Sequence, residues 1–378
     1  MRVRSVEYDI ESPIVSSAGA HSRNVDLTSP AFSEDIRRRI ACALNISSGL
    51  VNIERHSVGM SGWVLRCWGS ADGTRFFAKI FLLDPYPIPP RFATPWEELA
   101  APEKPQRPVE AQIATEWSMA RNMRSLVGAK NIPAPLGYSL DDRTLVFEEV
   151  QGTRLDRLVN WVWPASRDVR SMETAIYQAG AWLRALHESS TQGCETIEFV
   201  EVANALRGLI RRKKLEGTLY GVWALRALEL LARHRGPRSS FHMPVALNHG
   251  DFSLPNLIWD RYREHLWVVD FELSARKSIL HDLCAMIFEL RKPLLYPPTS
   301  ELTVRRLESA FWAGYGAIPE DLFVFVSALA TARLFYLSFP RILTLPERRG
   351  WRGWLKATVY KALFHRYVTA RVLRSAGF

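Results

Sequence analysis

Apolar and polar residues alternate in the first third of the chain and predict a β-sheet there. Three runs, VNIERHSV, GWVLRCWG and TRFFAKIFLL, follow one another between residues 51 and 83. The Asp72-Gly73 pair between the last two runs is typical of a β-hairpin turn. A short helix is expected just before them, over residues 33–45, because apolar residues recur there every three or four positions and Ser33 can cap it.

The remainder of the chain is expected to be mainly helical. Residues 109–126 predict one long helix, residues 144–150 one further strand, and the stretch SMETAIYQAGAWLRALHES a helix beyond Gly152. Two short β stretches, ALNHGDFSLPNLIWD and HLWVVDFEL, interrupt this helical part. Eight of the 22 prolines lie between Pro85 and Pro108, so that segment is expected to be a long loop. The pattern predicts an α+β fold with a small β-rich lobe and a larger helical lobe.

The composition agrees with two lobes and excludes several classes of protein. The chain has 378 residues, of which 47% are hydrophobic and 23% charged, which is ordinary for a globular protein. Its four cysteines are scattered without a C-x-x-C pair, so they predict neither a disulfide framework nor a structural zinc site. The N-terminus has no apolar signal segment and no apolar stretch is long enough to span a bilayer, so a cytoplasmic protein is expected.

The positive charge is concentrated at the C-terminus. The formal net charge is +10, and residues 341–378 contain nine Lys or Arg against one Glu. Such a tail fits an acidic ligand, an anionic membrane surface or nucleic acid, and it disfavours a polycationic substrate. Nucleic acid is not expected, because the RRKK run at residues 211–214 has no interleaved aromatic platform and is typical of a solvated helix face.

The strongest chemical signal is the triplet HGD at residues 249–251, followed by Asn256 and then by Asp270. Each residue alone would be explained by a turn or a strand-end cap. In this order, between apolar strands, they match the needs of phosphoryl transfer. One carboxylate orients the attacking hydroxyl, and an amide oxygen with a second carboxylate holds Mg²⁺ against the nucleotide phosphates.

HGDFSLPN and the later VVDFE resemble the aminoglycoside phosphotransferase and choline kinase superfamily, whose hallmark is H-G-D-x-x-x-x-N with a later Asp on a strand. The resemblance implies a protein-kinase-like two-lobed fold. It also implies that Asp251 is the catalytic base, that Asn256 and Asp270 are Mg²⁺ ligands, and that Asp282 is a structural carboxylate near the catalytic loop. The chain departs from protein kinases because no Ala-Pro-Glu closes an activation segment.

Nucleotide-binding residues are expected in the small lobe. A kinase places a strand lysine on the α- and β-phosphates and positions it with a helix glutamate, and Lys79 in FFAKIF fits the first role. Glu116 is preferred to Glu110 for the second, because the resemblance places that glutamate at a similar interval before the IPAP segment, residues 132–135. An exposed surface pair is the alternative for both residues.

Two further segments are assigned by position. Gly59, Ser61 and Gly62 would form the turn over the phosphates, although such glycines commonly just turn a hairpin. Glu148 and Val150 would belong to the linker between the lobes, whose backbone would bind the purine.

The predicted domains are an N-terminal arm and short helix over residues 1–50, a nucleotide-binding lobe over 51–150 and a helical lobe over 151–378. The first lobe includes a Pro-rich insert at 84–108. The second carries the catalytic loop 249–256, the metal-binding strand end at 270 and a basic C-terminal helix at 351–375.

The expected activity is Mg²⁺-dependent transfer of the γ-phosphate of ATP, with GTP left open, to a hydroxyl of a small molecule. A neutral or anionic acceptor, such as a sugar, a nucleoside-like compound or an envelope precursor, is favoured over a polycationic aminoglycoside. One alternative is a kinase of lipid-linked or envelope glycan that touches an anionic membrane through its basic tail. Another is a nucleotide-binding scaffold without catalysis.

Overall fold

The computed structural model describes residues 30–58, 62–70, 72–81, 86–87, 106–158, 169–212, 214–235, 240–295 and 300–338. They form two compact units. The first unit is Met1–Asp84 with Leu136–Phe147, and the second is Pro85–Pro135 with Glu148–Phe378.

In chain order the elements are α1 (Pro30–Leu44), β1 (Val51–Val58), β2 (Gly62–Gly69), β3 (Arg75–Phe81), β4 (Tyr86–Pro87), β5 (Gln106–Arg107), α2 (Val109–Val127), β6 (Pro135–Ser139), β7 (Thr144–Glu148), β8 (Thr153–Arg154), α3 (Leu155–Leu158), α4 (Val169–Ser190), β9 (Cys194–Glu198), α5 (Phe199–Arg212), α6 (Leu219–Arg235), β10 (Ser240–Asn248), β11 (Leu257–Asp260), β12 (His265–Val268), β13 (Ala275–Ser278), α7 (Leu280–Arg291), α8 (Glu301–Tyr315) and α9 (Glu320–Arg333). The mixed α+β class predicted from the sequence is confirmed.

The first unit is a five-stranded sheet packed against helix α1. The strand order is β1-β2-β3-β7-β6, and β1, β2 and β3 pair antiparallel. Ile40 of α1 shares one buried cluster with Phe76, Ala78 and Ile80 of β3. Because successive side chains of a strand point to opposite faces, Lys79 lies on the other face of the sheet from this cluster.

The hairpin between β2 and β3 turns where the sequence predicted. Gly73 has a φ of +69°, the left-handed conformation that glycine adopts without strain. The Asp72 carboxylate accepts hydrogen bonds from the Thr74 backbone N–H at 2.9 Å and from its hydroxyl at 2.6 Å. These contacts explain why an Asp-Gly pair stands at this turn.

The second unit combines helices with short sheets. Its strands pair in the orders β13-β10-β9, β12-β11-β8 and β4-β5. Strand β10 runs directly into the segment 249–256, which is followed by the antiparallel pair β11 and β12. The loop that carries the HGD triplet is therefore held between strands of two different sheets.

Helices α4 and α8 approach each other closely through two glycines. A Cβ on Gly180 of α4 would lie 2.2 Å from the Phe311 carbonyl oxygen, and one on Gly314 of α8 would lie 2.0 Å from the Tyr177 carbonyl oxygen. Either substitution would force the helices apart, since real Cβ contacts are never so short. The apolar face predicted for α4 is confirmed, because its members are all fully buried: Ile176, Ala179, Leu183 and Leu186.

Some local predictions differ from the structure. Helix α1 begins at Pro30, so Ser33 lies inside the helix and the predicted Ser33 cap is wrong. Proline lacks the N–H that a first helical turn leaves unused, which makes Pro30 a favourable start. In the Pro-rich insert the described pieces are β4 and β5, which pair antiparallel.

Residues 1–29 and the predicted basic helix at 351–375 fall outside the described residues. Among the helices that the structure does describe, none combines the length and the apolar character needed to cross a bilayer.

Candidate active site

The HGD triplet forms a sharp turn that requires its glycine. Gly250 has a φ of +84°, and a Cβ on it would lie 2.1 Å from the Leu273 carbonyl oxygen. Both the backbone conformation and the lack of space therefore exclude a side chain. The turn ends in a short 3-10 helix, Leu254–Asn256, that leads into β11.

His249 is fully buried and connects the HGD turn to the segment just before Asp270. Its Nδ1 accepts the Asp251 backbone N–H at 3.3 Å, and its Nε2 lies 3.0 Å from the Val269 carbonyl oxygen. The ring proton must then lie on Nε2, where it can be donated to that carbonyl. Burial lowers the pKa of His249, so the ring is neutral. His249 thus stabilises the loop and joins Asp251 to the residue before Asp270.

Asp251 and Asn256 are joined side chain to side chain. The Asn256 Nδ2 donates to the Asp251 carboxylate at 2.8 Å and to the Asp251 carbonyl oxygen at 2.9 Å. Both bonds use the amide nitrogen of Asn256, so its Oδ1 is the atom that can face a cation. The backbone carbonyl oxygen of Asn256 also accepts the Val269 N–H at 3.0 Å, which holds Asn256 beside the end of β12.

Asp270 lies just after β12 in a strained backbone conformation and beside two other carboxylates. Its φ is +72°, which is unusual for a residue other than glycine and is typical of functional sites. One carboxylate oxygen each from Asp270, Glu272 and Glu116 lie within 4.8 Å of one another. Gln112, one turn before Glu116 on α2, donates its Nε2 to the Glu272 carbonyl oxygen at 2.8 Å and so ties that helix to the strand end.

This set of oxygens fits a hard divalent cation. Carboxylate and amide oxygens are the ligands that Mg²⁺ prefers, and three carboxylates so close together repel one another unless a positive charge lies among them. Asp270, with Oδ1 of Asn256, can supply protein ligands for such an ion. The metal-ligand assignment of these two residues stays a prediction, which this geometry supports.

Asp282 is confirmed as a structural carboxylate of the catalytic loop. It is fully buried at the start of α7, where its Oδ2 accepts the His249 backbone N–H at 2.6 Å and its Oδ1 accepts the Gly250 N–H at 2.9 Å. Burial alone would raise the pKa of Asp282, but His187, His249 and the loop amide outweigh burial, and the pKa lies below its ordinary value. The residue is therefore an anion that accepts hydrogen bonds from two consecutive backbone N–H groups of the turn.

The nucleotide-binding residues predicted in the small lobe fall into different units. Lys79 is half buried on β3 of the first unit, with its Nζ 5.1 Å from the centre of the Phe81 ring. Glu116 is buried on α2, which belongs to the second unit. The Lys79–Glu116 pair stays a prediction.

The predicted phosphate turn and linker are described only in part. Gly59 and Ser61 lie outside the described residues, whereas Gly62 begins β2, where a Cβ would lie 1.9 Å from the Ile80 carbonyl oxygen. Glu148 is exposed, and its carboxylate accepts the Ala134 N–H at 3.1 Å. Val150 is buried, with 6% of its surface exposed.

Sequence reasoning missed Glu272 and the pair His187 and Tyr315. Glu272 stands only two residues after Asp270, and this closeness in sequence to a predicted metal ligand is the signal that could have found it. His187 and Tyr315 are 128 residues apart and form a buried contact at 2.8 Å. No local pattern predicts that contact.

A family model described as the phosphotransferase enzyme family matches residues 56–320, well over half of the chain. The matched part contains Lys79, Glu116, the catalytic loop and Asp270. No curated protein matches the chain.

Similar solved structures include a macrolide 2'-phosphotransferase from Brachybacterium faecium, with 13% identity over 87% of this chain and 98% of that one, at a TM-score of 0.48. A spectinomycin phosphotransferase in complex with ADP and spectinomycin has 11% identity over 91% of this chain and 98% of that one, at a TM-score of 0.47. An aminoglycoside phosphotransferase from Alicyclobacillus acidocaldarius has 13% identity over 86% of this chain and 93% of that one, at a TM-score of 0.46.

The match of the family model agrees with the resemblance carried by HGDFSLPN and VVDFE and with the kinase-like fold that it implied. It covers the whole candidate site. The chain therefore belongs to the phosphotransferase enzyme family and is a phosphotransferase.

Proposed function

We propose that the protein transfers the γ-phosphate of ATP, with Mg²⁺, to a hydroxyl group of a neutral or anionic small molecule. The observation that carries the proposal is a set of hydrogen bonds that connects Asp251, Asn256 and the end of β12. The Asn256 side-chain amide donates to the Asp251 carboxylate at 2.8 Å, while the backbone carbonyl oxygen of Asn256 accepts the Val269 N–H at 3.0 Å. These bonds would hold the proposed base, Asp251, at a fixed distance from the proposed metal ligands, Asn256 and Asp270.

Each residue has a role that follows from its chemistry. Asp251 would accept a hydrogen bond from the acceptor hydroxyl, orient it for in-line attack and take up its proton. Its bond from Asn256 restricts the carboxylate to one orientation, which lowers the entropy lost on reaching the reactive geometry. Mg²⁺, when bound by Asn256 and Asp270, would neutralise charge on the phosphate oxygens. Lys79 would contact the α- and β-phosphates, with Glu116 to orient it.

The acceptor class follows from charge. An aminoglycoside is a polycation and needs a site rich in carboxylates, whereas this chain has a formal net charge of +10. Two buried carboxylates of the second unit are bonded to other protein groups, Asp282 to the loop backbone and Glu308 to Arg291. In the proposed mechanism Asp270 and Glu116 are assigned to Mg²⁺ and Lys79. A neutral or anionic hydroxyl compound is therefore favoured.

The test is a phosphotransfer assay with γ-labelled ATP and Mg²⁺ on separate acceptor pools: hexoses, nucleosides, glycolipid precursors, macrolides and aminoglycosides. We expect transfer to a neutral or anionic acceptor. Asp251→Asn should lower kcat by roughly 10²- to 10⁴-fold, the usual contribution of a general base, without weakening MgADP binding. Asp270→Asn should remove the Mg²⁺ dependence of ADP affinity in calorimetry while leaving the fold intact.

Asp260→Asn is the matched control, because Asp260 is also a buried carboxylate at a strand end but caps the turn at Tyr262 and Arg263. It should keep turnover and MgADP binding. Full turnover in Asp251→Asn would show that Asp251 is not the base. Efficient transfer to aminoglycosides alone would overturn the acceptor class, and nucleotide binding without transfer to any pool would favour the scaffold.

A further inference from the structure

A buried hydrogen bond connects helix α2 to the turn that follows Asp270. Gln112 is fully buried on α2, one turn before Glu116, and its Nε2 donates to the Glu272 carbonyl oxygen at 2.8 Å. The two residues are 160 positions apart in the sequence. The bond therefore joins the helix that carries Glu116 to the segment that carries Asp270.

The Glu272 carbonyl needs a donor from outside its own segment. Residues 269–274 lie outside the helices and strands of the structure, so their carbonyl groups take no part in a regular hydrogen-bond ladder. Glu272 is buried, with 7% of its surface exposed, and a buried carbonyl oxygen without a hydrogen bond is costly. Gln112 removes that cost from a helix far away in the sequence.

The amide of Gln112 can take only one orientation. Its nitrogen must face the Glu272 carbonyl, because two carbonyl oxygens would repel each other. The Oε1 atom is then buried without a hydrogen-bond partner among the described residues. Val109 and Ile113, on the same buried face of α2, are apolar. An apolar residue at position 112 would leave no such oxygen, so hydrophobic packing does not explain the glutamine, whereas the bond to Glu272 does.

The turn that accepts this bond determines the backbone of Asp270. Its φ of +72° is a conformation that persists only where the surroundings determine it. The Ser274 hydroxyl donates to the His249 carbonyl oxygen at 3.0 Å and attaches the end of the turn to the catalytic loop. Gln112 attaches the middle of the turn, at Glu272, to α2. Removing either contact would free the backbone next to Asp270.

We propose that Gln112 is a positioning residue that holds Asp270 in the geometry for metal binding. By fixing the Glu272 carbonyl to α2, it restricts the turn and keeps the Asp270 carboxylate beside Glu116, where oxygens of the two residues lie within 4.8 Å of each other. The metal part of this role rests on the proposed function, in which Asp270 binds Mg²⁺. The structural alternative is that Gln112 only fills space beneath α2.

Calorimetry of ADP binding with and without Mg²⁺ separates the two roles and needs no acceptor. Gln112→Met keeps the length of the side chain and removes the donor. The affinity for ADP in EDTA should stay within about twofold of the wild type, because Gln112 acts through the metal site. The gain in affinity on adding Mg²⁺ should shrink by about fivefold or more, the effect expected when one buried carbonyl loses its hydrogen bond. A residue that only fills space would leave the gain unchanged.

Gln178→Met is the matched control. Gln178 on α4 also donates its Nε2 to a carbonyl oxygen in a turn, that of Glu264, at 2.8 Å. This variant should lower the stability of the protein without changing the gain from Mg²⁺. The proposal is wrong if Gln112→Met keeps the full gain, or if Gln178→Met loses it to the same extent. Should Gln112→Met fail to fold, Gln112→Asn decides, because its amide is one methylene too short, and a full gain in that variant would overturn the proposal.

Hydrogen exchange of the full-length protein without any ligand gives a second readout. The Ser274 N–H donates to the Phe271 carbonyl oxygen at 3.1 Å inside the same turn. In Gln112→Met this N–H should exchange about fivefold faster or more, because the turn opens more easily, and in Gln178→Met it should exchange as in the wild type. An unchanged rate in Gln112→Met would contradict the proposal.

The two readouts also separate this proposal from the proposed function. A wild-type protein whose ADP affinity does not respond to Mg²⁺ would refute the metal assignment of Asp270 and the metal part of the role of Gln112. The exchange comparison would still decide whether Gln112 holds the turn.

Discussion

Two regions of the second unit bury charged side chains, and they do so in opposite ways. Around the catalytic loop, Asp282 accepts hydrogen bonds from two backbone N–H groups of a turn that lies outside regular secondary structure. Among the helices, Arg291 of α7 forms a bidentate ion pair with Glu308 of α8, at 2.7 and 3.0 Å. Its remaining nitrogen donates to Ser327 and Thr331 of α9.

The difference separates a structural cluster from the candidate active site. The Arg291 cluster satisfies itself with protein groups and joins three regular helices. The loop region instead holds Gly250 and Asp270 at positive φ, and one carboxylate oxygen of Asp270 lies within 4.8 Å of carboxylate oxygens of Glu116 and Glu272. Strain is retained at the loop because its surroundings determine the backbone, as expected where pre-organisation serves chemistry. Buried charge by itself therefore does not indicate an active site, whereas buried charge beside a strained backbone supports one as a hypothesis.

The largest effect is expected from Gly250→Ala, which adds a methyl group at the HGD turn. In Gly250→Ala the new Cβ meets the Leu273 carbonyl oxygen at 2.1 Å in a backbone conformation that already disfavours a side chain, so the turn must move. Turnover should be lost, and the free energy of unfolding should fall by roughly 2–4 kcal/mol in urea titration. Gly73→Ala is the control, because Gly73 has a similar φ of +69° and nothing within 4 Å. A loss in Gly250→Ala no larger than in the control would disprove the steric argument.

Breaking the buried Arg291–Glu308 ion pair should lower the stability of the protein without changing its catalysis. Arg291→Met leaves Glu308 buried without its partner, and the unfolding free energy should fall by about 3–5 kcal/mol. Replacing both partners, as Arg291→Met with Glu308→Leu, should recover much of the loss, because no charge is then left unpaired. The kcat of the folded protein should stay at the wild-type value. Selective loss of kcat in the single variant would remove the distinction between the two regions.

Lowering the pH should reduce the free energy of unfolding, because His249 is neutral in the folded protein and takes up a proton on unfolding. Its folded pKa lies below the ordinary value of 6.5 because burial disfavours the charged ring. The unfolded chain therefore binds more protons near and below pH 6.5, so this stabilising contribution is complete above that pH and is lost as the pH falls through it. One such group changes the free energy of unfolding by up to about 1.4 kcal/mol per pH unit.

The measurement is urea unfolding between pH 7.5 and 5.5 for the wild type, His249→Gln and His242→Gln. His249→Gln should have a shallower pH dependence than the wild type. The exposed His242 serves as control, and its variant should follow the wild type. Equal slopes in all three proteins would show that His249 does not titrate on unfolding.

The smallest effect is expected where the same kind of ion pair is exposed. Arg306 of α8 bonds both carboxylate oxygens of Glu173 on α4, at 2.6 and 2.8 Å, and so joins the two helices in solvent. Because water and salt screen it, Arg306→Met should leave the urea midpoint and turnover close to the wild type. A loss comparable to that of Arg291→Met would mean that burial is not what separates the two pairs.

Much of the local structure could be predicted from the sequence. Alternation located β1 to β3, and helical spacing located the buried face of α4, because those signals depend on neighbours along the chain. The order HGD, Asn256, Asp270 predicted the candidate site, because these residues stand close together in the sequence. The start of α1 was misplaced because Ser33 and Pro30 are both acceptable helix beginnings, and local preference does not choose between them.

Contacts across long stretches of sequence were decided by tertiary packing alone. Glu116 reaches Asp270 because α2 lies against the end of β12, as the Gln112 bond to Glu272 records. Tyr315 reaches His187 because two glycines let α4 and α8 touch. The sequence by itself determined which chemical groups stand on each segment and how each segment folds locally. Which of those groups meet was decided by the packing of helices and strands far apart in the chain, because the energy of burying side chains depends on partners that no local pattern specifies.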